Sequence, residues 1–373
     1  MSILNIFKKT KYNYWISEEI KLCKNNGYNI EQYITPTMHP LHVKQIRQAL
    51  FDDFPNDYIK KISNMEFDEK EIENTRQEMF LNVDLKYFLE NFKPKIIKNA
   101  NNIHPLDAIK GAILGDIIGC KFEFVEHEKI TDLKFDGRFS DDTVLTIATK
   151  DAIVNYDKND KNKYLNSYKK YYQKYPSAGY GGGFISWCLD EQSKPYGSFG
   201  NGSAMRISAI PTYYDDIEDV ITQTYFSAII SHNHLEGIKG AIVTSVVIWM
   251  AKNHYTKDEI KEYLYSHYDY TLEQIQNRTI SNTQFYLKKI EQNKFNSQIS
   301  ITCQFAVPYA IYCFLNSESF EECMLKVLEH FCDADTICTI AGSVAAMFYS
   351  FDEKYEVILK EKLTEYLYEK LNK

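Results

Sequence analysis

Beyond residue 106 the apolar positions of this chain recur at helical spacing, near 3.6 residues, and do not alternate. Residues 107–119, 144–155, 219–230, 235–252, 257–265, 302–314, 320–330 and 337–348 all fit the helical period better than the strand period. No run of alternating residues with hairpin signals competes. The pattern therefore predicts an all-α domain over residues 106–373, preceded by a small helical segment over residues 1–100. A weak repeat runs through that first segment. Ile20-Lys21-Leu22-Cys23 leads to Gly27 and Tyr33, Ile46-Arg47-Gln48-Ala49-Leu50 to Phe54 and Ile59, and Thr75-Arg76-Gln77-Glu78-Met79 to Val83 and Phe88. The period is roughly 26 to 29 residues, in the range of helical arrays. A true repeat and coincidence among Lys-, Ile- and Asn-rich helices both account for it. A basic, Asn-rich link over residues 93–105 separates the two parts.

Composition narrows the function classes. The 373 residues are 44% hydrophobic and 25% charged, as expected for a soluble globular chain with a sizeable core. The 29 tyrosines read as coding bias. A net charge of −8 argues against general nucleic-acid binding, which needs a concentrated basic surface. The eight cysteines form no CxxC pair, so reduced, mostly buried thiols are expected. Residues 1–9 are too short in apolar side chains for a signal peptide, and the longest apolar run, 241–251, is too short to span a bilayer. The expectation is a cytoplasmic protein with no membrane partner.

The candidate chemistry lies in two acidic clusters, Ser140-Asp141-Asp142-Thr143 and Asp333-Ala334-Asp335-Thr336, each opening an apolar helical run. Either could be an ordinary N-cap. A cap needs one side chain, however, and each cluster offers three or four. Converged carboxylates about 4 Å apart repel by about 4 kcal/mol per pair at an effective dielectric near ~20. A divalent cation relieves that repulsion, and an all-oxygen donor set suits Mg²⁺, Mn²⁺ or Ca²⁺ over zinc. Gly111, Gly115 and Gly119 form one bare helical stripe, which tight helix packing explains. Asp116 within that stripe, and Glu123 after it, are less easily explained, because a buried carboxylate needs a partner or a cation. Two glycine-rich stretches, 178–183 and 198–206, precede helical sequence and offer amides that a phosphate or a plain tight turn would use. The pair His232 and His234 reads as a metal set or, more simply, as a helix cap with one ligand-facing histidine.

Taken in order, Leu114-Gly115-Asp116-Ile117-Ile118-Gly119 through Phe122-Glu123, Phe139-Ser140-Asp141-Asp142-Thr143, Tyr175-Pro176 to Gly183, Gly200-Asn201-Gly202-Ser203-Ala204-Met205-Arg206, Ser231-His232-Asn233-His234 and Asp333-Ala334-Asp335-Thr336 resemble the ADP-ribosylglycohydrolase family, the group that includes the dinitrogenase-reductase-activating glycohydrolase. The resemblance covers residue 106 to the C-terminus. It implies an orthogonal multi-helix fold, two Mg²⁺ ions (Mn²⁺ as a substitute) and hydrolysis of the bond joining ADP-ribose to an acceptor. Carried over by position, Ser140, Asp141, Asp142, Asp333, Asp335 and Thr336 are implied metal ligands. Glu123 is implied beside them, with Asp141, Asp333 and Asp335 sharing the catalytic work. Tyr180, Gly181, Gly182, Gly183, Asn201, Gly202, Ser203, Met205 and His232 are implied to line the ADP-ribose cleft. Ser140 replaces the family's more usual Thr, a mild change. Cys332 and Cys338 stand where the family has small residues, which predicts an altered metal-site geometry.

The implied partner is an ADP-ribosylated protein or a small ADP-ribose conjugate. The rival readings are a hydrolase of another nucleotide-linked glycoside or ester, and a non-catalytic binder of ADP-ribosylated partners. The first segment is a candidate for contacting a protein partner.

Overall fold

A computed structural model describes residues 11–12, 14–51, 56–68, 71–72, 80–98, 107–267, 300–349, 352 and 354–373. The third repeat unit, 75–79, and most of the link's second half, 99–106, lie outside the described residues. The chain forms two compact units, Met1–Leu81 and Asn82–Lys373.

In the first unit, α1 (Tyr14–Asn25), α2 (Pro40–Phe51) and α3 (Asn56–Ser63) surround a small core. Ile16, Ile20, Cys23, Val43, Ile46 and Ile62 are its buried residues at helical spacing. Gly27, at φ +78°, turns the chain out of α1 into a short 3-10 turn, Ile30–Gln32. His42 Nε2 lies 2.9 Å from the Ile62 carbonyl and ties α2 to α3.

The second unit begins with α4 (Leu85–Asn91), capped by Asp84. The composition change near residue 100 had suggested a later boundary. Phe88 and Phe92 lie before that point and are buried in the core of the second unit. There follow α5 (Asp107–Gly119), α6 (Asp141–Asn155), α7 (Lys163–Lys174), α8 (Gly182–Leu189), α9 (Gly202–Met205), α10 (Ala209–Tyr213), α11 (Ile217–Ile229), α12 (Leu235–Lys252) and α13 (Lys257–His267). The unit closes with α14 (Cys303–Leu315), α15 (Phe320–Val327), α16 (Ala334–Tyr349), α17 (Lys354–Lys362) and α18 (Glu365–Asn372). The architecture is all-α: among the described residues there is no β-strand, and an isolated antiparallel bridge pairs Gly200 with Thr302.

The eight sequence segments all fall on helices, with ends shifted by up to about three residues. The apolar pattern passed over α7, because its buried face is built from Tyr164, Tyr168 and Tyr171. Those rings are core, not mere bias. Tyr168 Oη bonds Thr149 Oγ1 at 2.9 Å and Ser227 Oγ at 2.7 Å, so its polar end is satisfied inside the unit.

The contact that positions the site is α5 against α16. A Cβ on Gly115 would stand 2.1 Å from the Cys338 carbonyl oxygen, and one on Gly119 would stand 2.3 Å from that of Ala334. The two backbones therefore meet along the glycine stripe, with Gly111 facing Gly342. That approach is the tight packing expected of the stripe, and it sets Asp116 beside the N-terminus of α16. Among the described residues, no helix is long and apolar enough to cross a membrane.

Candidate active site

Asp116 is fully buried on α5, and one of its oxygens organises the start of α6. Oδ2 accepts from the Ser140 N–H at 2.8 Å, the Thr143 N–H at 3.1 Å and the Thr143 hydroxyl at 2.5 Å. Ser140 is the N-cap of α6: its Oγ accepts from the Asp142 N–H at 3.2 Å and donates to Asp142 Oδ2 at 3.1 Å. From α16, the Thr336 hydroxyl donates to the same Asp142 oxygen at 3.4 Å. The N-cap role and convergence with the second cluster thus coexist.

Oxygens of Asp116, Asp142 and Asp335 lie within 4.8 Å of one another, and so do those of Glu123, Asp333 and Asp335. Asp335 belongs to both sets. Asp116 Oδ1 and Asp142 Oδ1 are buried without a hydrogen-bond partner. Among the described residues no lysine or arginine forms an ion pair with Asp116, Asp141, Asp142, Asp333 or Asp335. Burial raises all five carboxyls above the usual range. Neighbouring carboxylates add to this for Asp141, which is pushed up to about 8 by burial and then by Asp116. Glu123, on the exposed side of its set, is raised by partial burial and next by Asp333. Orphaned buried oxygens amid carboxylates that resist ionising are what a divalent cation would satisfy.

Asp141 belongs to neither close set and instead faces the glycine-rich loop. Gly179 lies so close that a Cβ there would be 3.3 Å from Asp141 Oδ1. Tyr180, stacked on Phe184 at 5.4 Å, has its hydroxyl buried without a partner. Gly181 and Gly182 have open space where a side chain would be, and Gly183 abuts the Tyr196 ring.

On the other wall, Asn201 Nδ2 donates to Asp333 Oδ2 at 2.6 Å and to the Ser300 carbonyl at 3.0 Å. Its amide holds Asp333. Ser203 turns inward, donating to the Gly237 carbonyl at 2.7 Å. The Met205 sulfur lies 3.9 Å from Thr336 Oγ1. Gly202 sits opposite His232 Nε2, 3.6 Å from where its Cβ would be.

The two histidines divide their roles. His234 caps α12, its Nδ1 accepting from the Glu236 N–H at 3.1 Å, while His232 faces the glycine turn. Neither joins a carboxylate set. Cys332 and Cys338 are also outside both sets, and their buried thiols neighbour those of Cys313 and Cys323. Asp116 was absent from the inferred ligands. Its signal was a charged residue inside an otherwise apolar helix.

Fold and site define an all-helical protein in which the ends of separate helices pool their carboxylates beside a glycine-rich loop. The family model described as ADP-ribosylglycohydrolase matches residues 105–369, and the chain belongs to that family. It is accordingly a hydrolase of glycosyl bonds. Among its relatives is ADP-ribosylhydrolase ARH3 of Homo sapiens, 24% identical over 313 residues, 66% of this chain and 85% of that protein. The putative ADP-ribosyl glycohydrolase L543 of Acanthamoeba polyphaga mimivirus is 22% identical over 311 residues, 68% of this chain and 89% of that protein. A solved structure titled "ADP-ribosylglycohydrolase-related protein complex" has the same fold, with a TM-score of 0.52 at 18% identity, covering 72% of this chain and 96% of that one.

Proposed function

We propose that this protein is a Mg²⁺-dependent hydrolase that cleaves the glycosidic bond between ADP-ribose and an acceptor on a protein or small conjugate. The observation that carries the reading is the pair of carboxylate sets sharing Asp335, an all-oxygen donor supply that would suit divalent ions. Ser140, Asp141, Asp142, Asp333, Asp335 and Thr336 would hold the ions, with Asp116 and Glu123 completing the oxygen supply. When bound, the ions supply Lewis acidity and cancel the mutual repulsion of the carboxylates.

The remaining work falls to side chains. Departure of the acceptor leaves an oxocarbenium-like sugar, which calls for proton management on both sides of the bond. Asn201 fixes one oxygen of Asp333, so Asp333 and Asp335 present a defined edge to the ribose, and Asp335 takes a proton from the attacking water. Glu123, at the open side, serves the acceptor. Its partial burial and the nearby Asp333 charge favour its protonated form, which suits donation to a leaving group. Open space at Gly181 and Gly182 lets backbone amides ahead of α8 approach a diphosphate.

The test is release of ADP-ribose from a modified protein and from simple O- and N-linked conjugates in Mg²⁺. Turnover should vanish with EDTA and return on adding Mg²⁺. Activity that survives both EDTA and the double variant Asp141→Ala with Asp335→Ala would sink the reading.

A further inference from the structure

Arg206 is completely buried, its guanidinium 4.4 Å from the centre of the Tyr168 ring. Its hydrogen bonds come from one amino group: Nη2 donates to the Ser227 carbonyl at 2.8 Å and to Ser231 Oγ at 3.0 Å. Nε and Nη1 bond no described residue. Ser231 Oγ in turn lies 2.8 Å from His232 Nδ1. The three side chains form a line from the core to the glycine turn.

Counting protons along that line fixes their direction. A guanidinium only donates, so Ser231 Oγ accepts from Arg206. Ser231 is buried, and its oxygen bonds only Arg206 and His232 among the described residues. Were Nδ1 protonated, it would donate into the same oxygen and strand the serine hydrogen without an acceptor. The satisfied arrangement has Ser231 donating to Nδ1, and the neutral ring then carries its proton on Nε2. Burial, and then the Arg206 charge, hold the imidazole well below its usual pKa, which opposes the doubly protonated form.

Nε2 bonds no described residue and faces the turn of Gly200 and Gly202, where Cβ atoms would stand 3.8 and 3.6 Å from it. Side chains at these positions would cover the nitrogen, and the glycines leave it uncovered for a hydrogen bond of about 2.9 Å to a ligand oxygen. We infer that Arg206 and Ser231 are positioning residues that lock His232 as the Nε2–H tautomer, so that it serves the cleft solely as a hydrogen-bond donor to an oxygen of the ADP-ribose moiety. This rests on the proposed reading of the cleft as the ADP-ribose site. It adds a selection rule: at this point the ligand must present an acceptor, and an analogue whose only polar group there is a donor is rejected.

The experiment is ¹H–¹⁵N correlation NMR of the full chain labelled with ¹⁵N-histidine, with His232 assigned by its loss in His232→Gln. The unliganded protein should show an unprotonated Nδ1 and a protonated Nε2, and ADP-ribose should shift the Nε2 signal. Ser231→Ala should release the tautomer into a mixture and weaken ADP-ribose binding about 10-fold, with Ser231→Thr restoring both. The His232→Gln amide donates without any tautomer to set, so adding Ser231→Ala there should cost less than about twofold. An Nδ1–H tautomer in the wild type, an Nε2 signal indifferent to ADP-ribose, or an equal cost of Ser231→Ala in both backgrounds would each overturn the relay. A locked tautomer that responds to ADP-ribose in a protein without hydrolytic activity would sink the proposed function and leave the relay standing.

Discussion

Asp116 shows how a single carboxylate serves two demands. Its Oδ2 accepts three donors at the start of α6, while Oδ1 lies buried and unbonded beside Asp142 and Asp335. Ionised neighbours at this spacing repel by about 3 kcal/mol per pair at an effective dielectric near ~20, so the metal-free protein carries a strained site. Asp142→Asn removes one charge from that set and keeps the shape. Without metal it should raise thermal stability by about 1 kcal/mol, and it should abolish the stabilisation produced by Mg²⁺. Thermal melts with EDTA and with Mg²⁺ check both halves. A variant that still gains the full wild-type increment from Mg²⁺ would remove Asp142 from the metal site. At this scale the sequence was legible where polarity clashed with context: Ser140, Asp142, Asp335 and Asp116 all stand out against apolar runs. Asn201 and Ser203 were not separable by type, since only folding shows that Asn201 grips Asp333 while Ser203 turns to Gly237.

Between elements, the α5–α16 contact does the positioning. Its glycine stripe lets two backbones approach until Gly115 meets the Cys338 carbonyl, and this brings carboxylates more than two hundred positions apart in the chain within reach of one another. Gly115→Ala has no flexible neighbour to displace, because the obstructing atoms are backbone. Forcing the helices apart should destabilise the protein by about 3 kcal/mol or more and reduce its response to Mg²⁺. Thermal denaturation, with and without Mg²⁺, measures both. A stability within about 0.5 kcal/mol of wild type would show that the helices are not held this closely. The helical period revealed most of these elements, since one apolar face must be buried whichever partner covers it. Among the elements it missed is α7, whose core face is tyrosine, with the Tyr164 and Tyr168 hydroxyls bonded internally, a pattern that reads as polar in one dimension.

In the whole molecule, the two units own separate cores, and the second begins at Asn82. The Phe88 ring lies 6.0 Å from that of Tyr225, and the Tyr263 hydroxyl donates to the Phe92 carbonyl at 3.0 Å. Removing residues 1–81 should therefore leave a folded protein that still turns over a small conjugate. Removing residues 1–100 should cost stability on the scale of burying two phenylalanines, about 3–5 kcal/mol each. Chemical denaturation of the two truncations, beside an assay on a small conjugate, distinguishes the boundaries. Equal stability would place Phe88 and Phe92 outside the core. Periodicity, the two acidic clusters and the order of the motifs were enough by themselves to establish an all-α chain with an oxygen-rich site, because burial and charge leave local marks on residue type. Tertiary structure alone decided that Asp116 joins a carboxylate set with Asp142 and that Asp335 belongs to both sets. It also decided that Phe88 and Phe92 join the second core and that Arg206 reaches His232 through Ser231. Those outcomes depend on which helices meet and how closely, and no local spacing encodes that distance.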